Sequence, residues 1–185
     1  MTTLALGIAQ YEELARESES SAESPSQQVV RAFREYHKPV YNYLYGMLAD
    51  RSAAEDLCQE TFLRMFRELH RSAISNHRAW AFRVAGNLAL TYNKQTLRAM
   101  NTLDIGEDVW PDAAPDPEEA LLRDESRHLL SAAMRRLSTQ ERQCVLLRSE
   151  GLRYREIADV LNIRVSTVAT FVTRAVRKLV EDLHA

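Results

Sequence analysis

Between Arg153 and Lys178, basic side chains at Arg153, Arg155, Arg164, Arg174, Arg177 and Lys178 are interspersed with hydroxyls at Ser166, Thr167, Thr170 and Thr173. Guanidinium and ammonium groups grip phosphate, and hydroxyls and arginine forks reach base edges, so the chemistry on offer is non-covalent recognition of nucleic acid. Ile157, Ala158, Leu161, Ile163, Val168 and Phe171 supply a scaffold for it. Their spacing fits two helices crossing through a short turn: the alanine lets the helices approach and the other residues fill the wedge between them. Arg153 to Leu161 reads as a supporting helix, Asn162 to Val165 as the turn, and Ser166 to about Val180 as a recognition helix, with Ser166 or Thr167 near its cap. Asn162 falls where the chain needs a left-handed residue, which Asn tolerates better than most. An ordinary helical hairpin has the same apolar spacing; the basic residues around it favour DNA binding.

Residues for covalent chemistry are missing from the pattern. There is no nucleophile–base–orienter set, no cluster with metal-ligand spacing and no glycine-rich phosphate loop, so the reading is not an enzyme, with no cofactor and no metal. Cys58 and Cys144 lie far apart without ligand spacing around either, which predicts two reduced, buried thiols. No basic segment followed by an apolar run opens the sequence, and no window approaches the roughly 18–20 apolar residues of a membrane span. The expectation is a cytoplasmic protein with no membrane contact.

These side chains must be positioned by a chain of 185 residues that is 45% hydrophobic and carries 24 Lys+Arg against 26 Asp+Glu. The net charge of −2 argues against a polycation, but it is a cancellation. Residues 1–28 carry −4, 29–100 carry +5, 101–119 carry −7, and 120–137 and 138–185 carry +2 each. The segment NTLDIGEDVWPDAAPDP (101–117) holds three of the five prolines and shows neither helical nor strand periodicity, which marks an acidic linker. Residues 1–24 read as a largely disordered tail, in which Leu4, Ile8, Tyr11 and Leu14 are spaced for one short amphipathic helix on a partner.

Everything else reads as helix, so the fold class is all-α, with two helical domains at 25–100 and 118–185. Ser24-Pro25 starts a helix with Val29, Val30, Phe33, Tyr36, Val40, Tyr43, Leu44 and Met47 on its apolar side, and Pro39 is expected to kink or break it. Ser52 and Glu55 form a capping box for a second helix with Leu57, Phe62, Met65, Phe66 and Leu69 inward. A third runs from about Asn76 to Arg98 with Trp80, Val84, Leu88 and Tyr92. Asp116-Pro117 starts a fourth, and the Ser138/Glu141 capping box opens a fifth, up to Ser149.

The strings AEDLCQETFLRMF, AWAFRVAGNLAL (79–90) and LSTQERQCVLLRSEGLRYREIADVLNIRVSTV (137–168), with the acidic linker between the second and third, together resemble an extracytoplasmic-function sigma factor of bacterial RNA polymerase. The resemblance implies sigma domain 2 and sigma domain 4 joined by a flexible tether, and a protein that binds core RNA polymerase, directs it to promoter DNA and is released after initiation. Asp56, Leu57, Gln59, Glu60 and Phe62 match the family's DLxQExF motif, which docks on the beta-prime coiled coil of the polymerase. The bland alternative is that Leu57 and Phe62 are core and the acids a solvated face.

The same resemblance assigns the minus-ten element to domain 2. Asn87 matches the family's asparagine on the helix that meets this element. His70 to His77, with His70, Arg71 and Asn76, corresponds to the loop that receives a flipped base, and Trp80 matches an aromatic position expected mainly to pack. Arg83 lies on the same helix, and Lys94 and Arg98 stand where the family carries a run of arginines. The acidic linker resembles the family's connector toward the polymerase active site; a plain solvated tether fits it as well, and Trp110 is an anchor in either case.

In the recognition helix the family pattern resembles TVKSRLHRARKKL, whereas here Ala169, Phe171 and Val176 replace basic positions. The implied minus-thirty-five contacts are therefore Thr170, Thr173 and Arg174 toward bases, with Ser166 and Thr167 at the cap and Arg155, Arg164, Arg177 and Lys178 toward phosphates. Alternatively Phe171 and Val176 extend an apolar surface for the polymerase beta flap or an anti-sigma factor. Two competing functions stay open: a stand-alone helix-turn-helix regulator, which has no use for the DLxQExF motif, and a sigma-like protein acting mainly through protein partners.

Overall fold

The computed structural model describes residues 23–102, 130 and 132–183. The tail at 1–22 with its four apolar residues, most of the linker including Trp110, and the start of the helix expected from Asp116 lie outside the described residues. Among those described, the chain is helical throughout, and no helix is long and apolar enough to cross a membrane.

Helix α1 (Pro25–Leu48) starts as expected at Ser24, whose Oγ accepts from the Gln27 amide at 3.3 Å while Gln27 Oε1 accepts from the Ser24 amide at 2.9 Å. Pro39 does not break it. Proline removes one amide donor, but the turns around it bury Val40, Tyr43, Leu44 and Met47 completely or nearly so. Each such side chain contributes about 1.5–3 kcal/mol on burial, together more than the roughly 3 kcal/mol an interior proline costs. The outward edge differs from expectation: Val30 and Phe33 are exposed.

Ala49 takes a left-handed conformation at the end of α1, and Asp50 then caps α2 (Arg51–Leu69), its Oδ1 accepting from the Ala53 amide at 3.0 Å. The Ser52 capping box is therefore not the start of α2. Both of its residues lie inside the helix, and Glu55 pairs with Arg51 at 3.4 Å. The carboxylate of Asp50 reaches the first free amides two residues sooner, and it also accepts from Tyr92 Oη at 3.1 Å, which ties α2 to α3. Phe66, expected in the core, is exposed.

Helix α3 (His77–Thr102) is opened by Asn76, whose Oδ1 accepts from the Ala79 amide at 2.9 Å, and it runs past the expected linker boundary. Its deepest side is Ala81, Phe82, Ala85 and Ala89, with Val84 and Leu88 only half-buried. Small residues draw α3 close to α1 and α2, so the apolar periodicity of the larger residues reads about one position out of register.

The second half contains α4 (Thr139–Ser149), α5 (Tyr154–Leu161) and α6 (Val165–Leu183), preceded by helical residues 132–135. The Ser138/Glu141 capping box is present, with Ser138 Oγ accepting from the Glu141 amide at 3.3 Å and Glu141 Oε2 accepting from the Ser138 amide at 2.9 Å. Asn162 is left-handed at φ 53°, as its type suggested. Asn162→Val should therefore cost about 1–2 kcal/mol in urea unfolding, and Asn162→Gly should not destabilise; equal losses would remove the backbone explanation. Helix α6 begins one residue early, so Ser166 and Thr167 sit inside its first turn instead of capping it, and the Arg164 carbonyl accepts from the Thr167 and Val168 amides.

Both cysteines are free and buried, and burial pushes each thiol up to about 11, which keeps them protonated at neutral pH. One hydrophobic core runs through both halves of the chain. Tyr43 of α1 and Gln143 of α4 meet inside it, with Gln143 Nε2 donating to the tyrosine oxygen at 3.3 Å.

Candidate nucleic-acid and protein interfaces

Three surface features emerge from these helices. The first lies on α2. Asp56 and Gln59 are exposed, while Leu57 and Glu60 are half-buried, with Glu60 holding Arg64 at 2.7 Å and Arg67 at 3.6 Å. Phe62 does not belong to the outer face: it is 4% exposed, its ring set edge-on to Phe33 at 5.0 Å between centroids. The residues that continue the exposed line are Leu63, 52% exposed, and Phe66, 41% exposed. Asp56, Gln59, Leu63 and Phe66 follow a 3-4-3 spacing, which places them on one helix face. The spacing alone held this signal, but a leucine and a phenylalanine near a helical core are assigned inward by default. Phe33 of α1, also exposed, stands beside this face through its ring contact with Phe62. The face combines acceptor groups with apolar surface, a combination suited to a helix carrying basic and apolar side chains.

The second feature runs along α3. Asn76, Trp80, Arg83, Asn87, Lys94 and Arg98 are spaced by four, three, four, seven and four residues and form one stripe. All are exposed except Trp80, which is half-buried against the core, as a mainly packing role requires. His70 and Arg71 are exposed at the turn before α3, where His70 Nδ1 lies 2.8 Å from the Phe66 carbonyl oxygen. Arg83 is engaged: its Nη2 donates to the Asp159 carbonyl at 2.7 Å. The structure thus brings the residues from Asn76 to Arg98 into one row and joins the middle of that row to the second half of the chain.

The third feature is the helix-turn-helix of α5 and α6. Ser166, Thr170, Thr173, Arg174 and Arg177 are exposed along one side of α6, with Arg155 and Arg164 exposed on α5 and the turn, and Thr167 half-buried. The Thr170 hydroxyl donates to the Ser166 carbonyl at 3.0 Å, leaving its oxygen turned outward as an acceptor. Lys178, expected toward a phosphate, is half-buried here with its ammonium held at 2.7 Å by Glu141, a carboxylate only 4% exposed. Burial pushes the Glu141 carboxyl up, but the Lys178 ammonium and the Ser138 amide outweigh it and hold the group below its ordinary value. Phe171 packs partly against the core, and Val165, Val176 and Val180 are exposed large apolar residues on this helix.

Residues 32–98 match the family model of Sigma-70 region 2, and residues 127–179 match that of Sigma-70, region 4. Among known proteins, the chain is 33% identical over 153 residues to the ECF RNA polymerase sigma factor BldN of Streptomyces coelicolor, and 31% identical over 148 residues to SigE of Mycolicibacterium smegmatis. Those alignments cover 80% and 79% of this chain but 58% of each relative. The SigM factor of Bacillus subtilis is 28% identical, with 80% of this chain and 90% of the relative aligned. Among solved structures, the sigma factor RpoE of Bartonella quintana, determined with the anti-sigma factor NepR, superposes at a TM-score of 0.68 with 20% identity, covering 84% of this chain and 96% of that one. CnrH, determined with the cytosolic domain of CnrY, gives 0.65 at 19% identity over 92% and 95%. The two structures support the fold. With both regions matched in order and the relatives agreeing, the chain belongs to the sigma-70 family, in its extracytoplasmic-function group.

Proposed function

We propose that the chain is a non-catalytic cytoplasmic specificity subunit that binds core RNA polymerase and directs it to promoters through two DNA elements. The observation that carries this reading is the exposed Asp56, Gln59, Leu63 and Phe66 face on α2. A stand-alone operator-binding protein needs no second recognition face of mixed acidic and apolar character 100 residues away from its helix-turn-helix. In this reading residues 25–100 act as domain 2 and residues 118–185 as domain 4, with residues 101–117 as tether. The α3 stripe meets the minus-ten strand, where stacking and pocket contacts offset the unstacking of a flipped base. The α6 stripe enters the major groove of the minus-thirty-five element, with Arg174 toward a base edge and Arg155, Arg164 and Arg177 toward phosphates.

The test is co-purification of the chain with core RNA polymerase, followed by transcription in vitro from a library of promoters. Initiation at a restricted set supports the proposal. Tight binding of duplex DNA by the chain alone, with no capture of core, sinks it in favour of the stand-alone regulator. Within the active complex, Arg174→Ala should reduce dependence on the upstream element by about 10- to 100-fold, the range of one lost base contact worth about 1–3 kcal/mol. Mutated upstream and downstream elements distinguish the outcomes, since equal loss at both contradicts the assignment.

A further inference from the structure

Three hydroxyls stand exposed on one side of α6, at Ser166, Thr170 and Thr173, and they are not equivalent. Thr170 Oγ1 donates its proton to the Ser166 carbonyl at 3.0 Å. The Ser166 and Thr173 hydroxyls make no hydrogen bond among the described residues, so each can turn its proton either way. A threonine inside a helix can fold its hydroxyl back to the carbonyl four residues earlier, because that oxygen keeps a second lone pair after the backbone bond is made.

What Thr170 presents outward is therefore an oxygen with lone pairs and no free proton. Arg174, one turn further along, is its opposite: a fork of N–H donors with no acceptor. It is exposed and forms no ion pair among the described residues, whereas Arg177 is drawn to Glu181 at 3.9 Å.

The major groove sorts these two kinds of group. Its hydrogen-bond donors are the amino groups of cytosine and adenine, while guanine and thymine present keto oxygens. Every base pair carries one such amino group, so an acceptor held against one strand distinguishes which base of the pair stands on that strand. An oxygen that has already given up its proton is attracted to the amino group and repelled by the keto oxygen. To donate to a keto oxygen the Thr170 hydroxyl must rotate, and rotation forfeits the bond to Ser166.

We propose that Thr170 is a specificity-determining residue for the upstream element: it selects adenine or cytosine, through the exocyclic amino group, at the base pair it faces. The inference rests on the reading of α6 as the helix that enters the major groove. Four residues of helix rise about 6 Å and successive base pairs about 3.4 Å, so Thr170 and Arg174 address base pairs one or two steps apart. Thr173 has its proton uncommitted and carries no such preference, since it can donate to a keto oxygen or accept from an amino group. One position is thus read by an acceptor, a neighbour by donors, and the position of Thr173 is tolerant.

The test uses the chain assembled with core RNA polymerase. Transcription in vitro from a barcoded promoter library randomised across the upstream element is compared for the wild type, Thr170→Val, Thr170→Ser and Thr173→Val, each first shown to be folded by circular dichroism. Valine keeps the shape of threonine and removes the oxygen. The wild type should favour adenine or cytosine about 2- to 10-fold at one position, the worth of one exchanged hydrogen bond. Thr170→Val should erase that preference, and Thr170→Ser and Thr173→Val should leave it in place. A Thr170→Val protein with the wild-type preference at every position overturns the proposal, as does a responding position that favours guanine or thymine. Loss of the preference in Thr170→Ser also overturns it, because the methyl group would then be the reader. If the wild type gives no transcript from any promoter, the sigma reading fails, and the same four proteins compared by selection on a duplex library without polymerase decide the role of Thr170. Recovery of no preferred duplex there overturns both.

Discussion

Asp56→Arg will abolish capture of core RNA polymerase while leaving the melting temperature unchanged. Asp56 is exposed on α2, clear of the capping bond that Asp50 makes to Ala53. A charge reversal there leaves the fold intact but sets an arginine against the basic partner helix that the face is proposed to receive. Removing one member of a close interfacial charge pair costs about 2–5 kcal/mol, so the loss should be at least 30-fold, and reversal adds repulsion. The measurement is co-elution with core at concentrations where the wild type saturates it. Phe62→Ala supplies the contrast. Its ring is buried against Phe33, so truncation should cost about 3–5 kcal/mol of stability and lose binding only through unfolding. An Asp56→Arg protein that binds core normally would remove the α2 face from the proposal.

Glu141→Ala has the second large effect, on stability. Glu141 caps α4 by accepting from the Ser138 amide and receives the Lys178 ammonium at 2.7 Å, and it is nearly completely buried. The change removes the cap and leaves Lys178 without its carboxylate. A fully buried pair would lose about 3–5 kcal/mol; Lys178 is 39% exposed on its side chain, and water compensates it in part, so about 2–3 kcal/mol is expected in urea unfolding. The pH dependence has a definite sign. The folded-state carboxyl ionises at lower pH than in the unfolded chain, so its contribution is complete at neutral pH, above the unfolded value, and is lost as pH falls through the folded value. The wild type should therefore lose stability on acidification through the carboxylate range more steeply than Glu141→Gln. Parallel pH profiles would show that the Lys178 pair contributes nothing.

Much of the fold was legible because its determinants are local. The Ser24 and Ser138 caps, the left-handed Asn162 and the helix-turn-helix spacing each depend on residues within a few positions, where propensity and hydrogen-bond reach decide the outcome. The α2 cap was misplaced by the same kind of reasoning. Asp50 and Ser52 are both competent caps, and the winner is the one that α1 delivers in an extended conformation, φ −117° and ψ 115°, after Ala49 turns the chain. Pro39 shows the opposite failure, a strong local signal overridden by packing on either side of it.

The sequence by itself determined the helical class and the two groups of helices, and it placed its candidate site residues on the right helices, since a helix fixes which positions share a face. Only the tertiary structure decided which of those faces look outward. Phe62 turned in and Leu63 and Phe66 out; Lys178 went to Glu141, 37 residues away, and Arg83 to Asp159, 76 residues away. Hydropathy ranks a side chain by type, but burial and pairing depend on what the rest of the chain brings against it, and that partner is absent from any local window. The same reason explains the near-neutral charge. Its basic and acidic blocks can be counted along the chain, yet which arginines are engaged by carbonyls of the other half, as Arg78 and Arg83 are, is settled by the tertiary structure.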